Sequence, residues 1–123
     1  MKKKKILIVE DEKEIIKMLR IRLSAACDLL EAGNGAEGYD IAVRTNPDLI
    51  ILDLVLPKLS GFAVLEKLKT NPATKKIPVI ILTCLGQEEE KEKGMNLGAI
   101  DYLVKTQYTL GEIIEKINKR LRK

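Results

Sequence analysis

The chain has 123 residues, which is long enough for one domain with a core and too short for two. Its hydrophobic fraction of 46% beside 33% charged residues is that of an ordinary soluble protein. We expect one cytoplasmic domain over residues 1–123, with no signal peptide and no membrane segment. The absence of histidine excludes His-based triads, imidazole zinc sites and a role as phosphohistidine carrier.

The net charge of +4 comes from the two ends of the chain. Of the 22 basic residues, eight lie within segments 2–5 and 119–123. The rest of the chain has 14 basic and 18 acidic residues, so its net charge is negative. A nucleic-acid reader would carry its basic stripe on a face or a recognition helix. We therefore expect no direct nucleic-acid binding, and the basic C-terminal end is either a natural terminus or the start of a linker.

Strand-like and helix-like segments alternate from end to end. The strands are predicted over 5–9, 28–32, 48–52, 78–83 and 99–104, the second being less apolar and therefore at an edge. The helices are predicted after the first strand to about residue 25, and over 36–44, 61–70, 87–97 and 110–122. This alternation predicts an α/β, flavodoxin-like, doubly wound sheet of five parallel strands in the order 2-1-3-4-5, with five helices.

Apolar residues at helical spacing predict which helix faces are buried. The inward residues are expected to be Ile15, Met18, Leu19 and Leu23 of the first helix, Phe62, Leu65 and Leu68 of the third, and Ile113, Ile114, Ile117 and Leu121 of the last. Cys27 and Cys84 form no disulfide or zinc pattern and stand beside apolar residues, so both are expected to be buried thiols.

Four of the predicted strands end in polar residues suited to a phosphoryl group. Glu10 and Asp11 follow the first strand, Asp53 the third, Thr83 ends the fourth and Lys105 follows the fifth. Parallel strands of an open α/β sheet present these ends along one edge, where ligands bind. Clustered carboxylates repel one another unless a cation neutralises them, and Mg²⁺ is the cation that best suits carboxylates, water and phosphate oxygens.

Each residue alone has a simpler interpretation. An aspartate after a strand is commonly a turn residue or a helix cap, and acids before a helix favour its dipole. Thr83 alone fits an ordinary strand residue and Lys105 a solvated one. The arrangement of all of them at four strand ends is what favours phosphoryl chemistry.

The four segments together resemble the receiver domain of two-component response regulators. Residues 6–12 resemble the family's first strand with its acidic pair, and residues 53–57 with Gly61 resemble its phosphoacceptor segment, with Leu56 in place of the usual methionine. Leu82-Thr83 and residues 101–105 resemble the third and fourth motifs. The resemblance covers essentially the whole chain.

The resemblance implies that Asp53 accepts a phosphoryl group from a histidine kinase in a Mg²⁺-dependent reaction. Asp11 and Asp53 would hold the ion through their side chains, Val55 through its carbonyl and Glu10 through water. Thr83 would bind the phosphate and move inward, and Lys105 would pair with it.

The resemblance further implies a switch rather than an enzyme. Tyr102 matches the aromatic residue that turns inward with the threonine, although an ordinary half-buried strand tyrosine is the alternative. The chain would then act on a downstream protein or a covalently linked output domain. A homodimer through the face of the last helix is left open.

One position departs from the family pattern. Thr106 follows Lys105 where the family has a proline in a cis peptide, so this bond is either trans or held cis locally. By the resemblance, Val55 and Leu85 occupy positions that influence the lifetime of the phosphoryl group. Both are apolar and cannot orient an attacking water, which predicts a long-lived phosphoryl group.

Other functions fit less well. A haloacid-dehalogenase-type phosphotransferase would need an acid at the position of Val55, and a flavin or nucleotide binder would need a phosphate-binding loop where residues 10–12 are acidic. A docking module that is not phosphorylated, and a receiver fragment of a larger transcriptional regulator, remain as alternatives.

Overall fold

The computed structural model describes residues 3–122. Over that range five strands and five helices alternate strictly. The strands are β1 (Lys4–Val9), β2 (Cys27–Ala32), β3 (Leu49–Leu52), β4 (Val79–Thr83) and β5 (Asp101–Val104). The helices are α1 (Lys13–Leu23), α2 (Gly35–Thr45), α3 (Gly61–Thr70), α4 (Glu88–Asn96) and α5 (Leu110–Leu121). The predicted elements are all present, with ends that differ by one or two residues.

The strands form one sheet in the order β2-β1-β3-β4-β5, and every pairing is parallel. The predicted fold class and strand order are therefore confirmed, including the edge position of β2. All four residues of β3 are buried, which agrees with its unbroken apolar sequence in the middle of a covered parallel sheet.

Alternate residues of β1 pack into two separate hydrophobic cores, because successive side chains of a strand point to opposite faces of the sheet. Ile6 and Ile8 pack with residues of α1 and α5 on one face, whereas Leu7 and Val9 pack with residues of α2 and α3 on the other. The sheet is thus covered on both sides, and its carboxyl edge is the place where polar side chains collect.

Local sequence signals explain several helix ends. Ser60 accepts a hydrogen bond from the Ala63 amide at the start of α3, and Thr109 does so from the Glu112 amide at the start of α5. Asn46 ends α2 in the left-handed conformation, with φ of 48°, and Pro47 follows it.

Two of the expected core positions are wrong. Met18 is 39% exposed, because the buried side of α1 runs through Leu19 and Leu23. Ile15, Phe62 and Leu121 are half-buried and pack against the two cores, and Val64 of α3 is buried as well. Cys84 is exposed because it lies beyond the end of β4, whereas Cys27 is buried as predicted.

Within residues 3–122, no helix is both long and apolar enough to cross a membrane. Two of the terminal basic residues, Lys2 and Lys123, lie outside the described residues.

Candidate functional site

The register of the sheet places Glu10 and Asp53 beside each other. Val9 of β1 stands opposite Leu52 of β3, so the residues that follow them leave neighbouring strands at the same level. The Asp53 amide donates to the Val9 carbonyl at 3.0 Å, which fixes this junction. The predicted convergence of strand ends is therefore present at the point where the strand order reverses.

Three carboxylates form a compact cluster at this edge. Glu10, Asp11 and Asp53 each place one oxygen within 4.8 Å of the others. The Glu10 and Asp53 residues are each 2% exposed, whereas Asp11 is exposed. An all-oxygen donor set that is open to solvent on one side fits Mg²⁺, which keeps several of its waters.

The ammonium of Lys105 lies against this cluster. Its Nζ is 2.9 Å from Glu10 Oε1, 3.1 Å from Asp53 Oδ2 and 2.8 Å from Glu12 Oε1. The Lys105 amide also donates to the Thr83 carbonyl at 2.8 Å, so the backbone of this loop is tied to β4. Residues 3–122 contain no cis peptide bond, so the bond to Thr106 is trans, and Lys105 nevertheless reaches Asp53.

Burial and charge act in opposite directions on the ionisable groups here. Burial raises the pKa of Glu10 to about 7, and the charge of Asp53 adds to this, while hydrogen bonds from Lys105 and the Glu12 backbone oppose it. Burial alone would lower the pKa of Lys105, but hydrogen bonds to Glu12 and Glu10 and the charge of Asp53 raise it above its ordinary value. The lysine therefore stays charged beside the carboxylates.

Thr83 and Tyr102 meet at the loop after β4. Thr83 is fully buried and its hydroxyl accepts a hydrogen bond from the Leu85 amide at 3.4 Å. Tyr102 is 4% exposed, and its hydroxyl donates to the Leu85 carbonyl at 2.7 Å. Burial raises the pKa of Tyr102 to about 12, so this donor keeps its proton. The Tyr102 ring thus lies inward, and Leu85 links the two residues.

Val55 lies at the open side of the cluster. It is 49% exposed, and its amide donates to Asp53 Oδ1 at 3.2 Å. The Val55 amide thus binds Oδ1 of the Asp53 carboxylate, and Lys105 binds Oδ2.

Sequence reasoning missed Glu12 as a site residue. In the sequence Glu12 is only the last acid of the run at 10–12 before the first helix, yet the structure brings the Glu12 carboxylate to Lys105, 93 positions away. Two strands separate β1 from β5 in the sheet. Nothing in the local sequence indicates that the lysine side chain spans that distance.

The model of the response regulator receiver domain family matches residues 6–118. The chain belongs to the response regulator receiver domain family.

Known proteins that resemble the chain agree with this assignment. The DNA-binding dual master transcriptional regulator RpaA of Synechocystis sp. is 40% identical over 120 residues, an alignment that covers 97% of this chain and 49% of that protein. The chain spans about half the length of the curated relatives it matches.

Two solved structures bear on the site. The Mn²⁺-bound form of response regulator Rcp1 has a TM-score of 0.85 at 31% identity, covering 94% of this chain and 91% of that one. The phosphorylated cyanobacterial phytochrome response regulator RcpA has a TM-score of 0.83 at 29% identity, covering 96% and 91%. These neighbours are respectively a metal-bound and a phosphorylated protein of this kind.

Proposed function

We propose that this domain is a signalling switch in which Asp53 accepts a phosphoryl group from a histidine kinase in a Mg²⁺-dependent reaction. The observation that carries the proposal is the Asp53 carboxylate itself, buried at the edge of the sheet between two other carboxylates and the Lys105 ammonium. Two hydrogen bonds aim this carboxylate, one from the Val55 amide and one from Lys105.

In the proposed reaction an oxygen of Asp53 forms a bond to phosphorus while the bond from phosphorus to the donor's leaving group breaks. Asp11 and Asp53 side chains, the Val55 carbonyl and Glu10 through water would hold Mg²⁺. When bound, the ion supplies positive charge that neutralises the carboxylates and the incoming phosphoryl oxygens. Lys105 provides a second positive charge, and the Thr83 hydroxyl provides a hydrogen-bond donor.

The output of the switch would come from the loop after β4. A phosphoryl group that draws the Thr83 hydroxyl away from the Leu85 amide would change the loop whose carbonyl holds Tyr102. The face formed by α4, β5 and α5 would then bind a partner differently, by a shift between two conformations. The domain would act on no separate substrate. The transcriptional regulators among the relatives support a covalently linked output domain as that partner.

Intact-mass measurement after incubation with acetyl phosphate tests the proposal. We expect a Mg²⁺-dependent phosphoryl adduct on the wild type that is absent from Asp53→Asn. Asp40→Asn is the matched control, because Asp40 is an exposed carboxylate of α2 that pairs with Arg44. A wild type that binds Mg²⁺ but forms no adduct would contradict the proposal and support a docking module that is not phosphorylated.

A further inference from the structure

The Glu12 carboxylate makes the shortest of the three contacts to the Lys105 ammonium, at 2.8 Å. The other two carboxylates that Lys105 contacts, those of Glu10 and Asp53, belong to the acidic cluster, whereas Glu12 does not. Lys105 Nζ donates hydrogen bonds to Glu12 and Asp53, and Glu10 lies in ion-pair contact with it. An ammonium has only three N–H donors, so a phosphoryl oxygen that binds Lys105 has to compete with these carboxylates.

Glu12 is the partner that is free to leave. Its side chain is 55% exposed, whereas those of Glu10 and Asp53 are 3% and 2% exposed. Water can solvate the Glu12 carboxylate once it separates from the lysine. Separating Glu12 from Lys105 therefore costs less free energy than separating either buried carboxylate, which would be left as an unpaired buried charge.

The position of Glu12 at the start of α1 supports a specific role for its side chain. Glu12 is the N-cap residue of α1, a position where short side chains such as Ser or Asp commonly accept a hydrogen bond from the first turn. Its side chain makes no such bond and extends to Lys105 instead. Its amide donates to Glu10 Oε2 at 3.0 Å, so the same residue also orients the neighbouring site carboxylate.

We propose that Glu12 is a positioning residue that restrains the Lys105 ammonium in the unphosphorylated domain and thereby slows phosphoryl uptake by Asp53. This inference rests on the proposed function of Asp53. One N–H donor of Lys105 is occupied by Glu12 before the reaction and is taken over by a phosphoryl oxygen during it. In the wild type, breaking this ion pair adds to the free-energy barrier of phosphorylation. A variant that lacks the pair should therefore have a lower barrier.

The rate of adduct formation with acetyl phosphate at saturating Mg²⁺ tests this role. We expect Glu12→Gln to be phosphorylated up to about five-fold faster than the wild type, the upper limit for an exposed ion pair. Glu12→Asp keeps the charge but is one methylene shorter, so it also loses the contact and should be faster than the wild type. Glu14→Gln is the control, because Glu14 is an exposed acid of the same helical turn.

The outcomes separate the two hypotheses. An adduct that forms on Glu12→Gln and Glu12→Asp at the wild-type rate, or more slowly, would overturn the role of Glu12 and leave that of Asp53 intact. Equal acceleration in Glu14→Gln would also overturn it, because general repulsion of the anionic donor would then explain the effect. No adduct on the wild type would instead refute the function of Asp53. A merely structural role for Glu12 predicts no acceleration.

Discussion

Lys105 is the one positively charged side chain in contact with the two buried carboxylates of the site, among residues 3–122. Its own side chain is 10% exposed, and those of Glu10 and Asp53 are less exposed still. A buried charge that loses its partner is strongly destabilising, more so than an intact pair is stabilising. The stability of the metal-free domain should therefore depend on this single ammonium.

Replacing Lys105 by methionine should lower the free energy of unfolding by about 3 kcal/mol at about pH 8 without Mg²⁺, because two carboxylates remain buried without their cation. The loss should be smaller at about pH 5, because Glu10, whose pKa is about 7, is already protonated there and does not depend on the ammonium. Urea unfolding at both pH values measures the effect. Lys91→Met, at an exposed position of α4, should change little, and a Lys105→Met domain as stable as this control would contradict the argument.

At the scale of elements, α4 approaches the sheet closely because Gly94 has no side chain. A Cβ at this position would lie 2.6 Å from Ile81 Cδ1 and 3.2 Å from Cδ2 of the Tyr102 ring. Ile81 and Tyr102 are themselves buried, so the helix, the Ile81 side chain or the tyrosine would have to shift. Gly94 therefore allows α4 to pack against the tyrosine that holds the loop after β4.

Gly94→Ala should destabilise the domain by about 1 to 3 kcal/mol, the usual cost of overpacking, despite the higher helix propensity of alanine. Gly111→Ala in α5 is the matched control, because the nearest atom to its Cβ would be Thr109 Oγ1 at 3.9 Å. That control should gain about 0.4 to 1 kcal/mol. Thermal or urea unfolding of both variants measures the difference, and equal effects of the two substitutions would show that the contact with Tyr102 is loose.

The elements were predictable from sequence because their signals are local. Unbroken apolar runs, such as β3, and turn residues, such as Asn46 with Pro47, set the number and order of strands and helices. The same signals identified Glu10, Asp11, Asp53, Thr83 and Lys105 as strand-end residues that converge, as the structure shows for the three carboxylates and the lysine.

What the sequence could not predict depends on long-range packing. The full burial of Val64, beside a half-buried Phe62, follows from how α3 is rotated on the sheet, which periodicity leaves open. The contact of Glu12 with Lys105 depends on a side chain that crosses the ends of two strands. Such a contact has no sequence spacing that would indicate it.

For the whole molecule, the acidic cluster links folding stability to pH and to Mg²⁺. The pKa of Glu10 rises from 4.5 to about 7 on folding, chiefly through burial. A carboxyl group whose pKa is raised by folding stabilises the folded state fully below its unfolded value, and this contribution disappears as the pH rises through the folded value. Without Mg²⁺, the Glu10 contribution should therefore be lost between about pH 4.5 and pH 7.

Mg²⁺ should reverse this loss, because the ion binds ionised carboxylates and competes with the proton on Glu10. The increase in melting temperature on adding saturating Mg²⁺ should be larger at about pH 8 than at about pH 5. This difference is independent of how the other carboxylates change the melting temperature with pH in the absence of Mg²⁺. Glu10→Gln isolates the effect: its melting temperature without Mg²⁺ should fall less between these pH values than that of the wild type. If the wild type and Glu10→Gln show the same pH dependence with and without Mg²⁺, the buried Glu10 carboxylate does not couple metal binding to the stability of the domain.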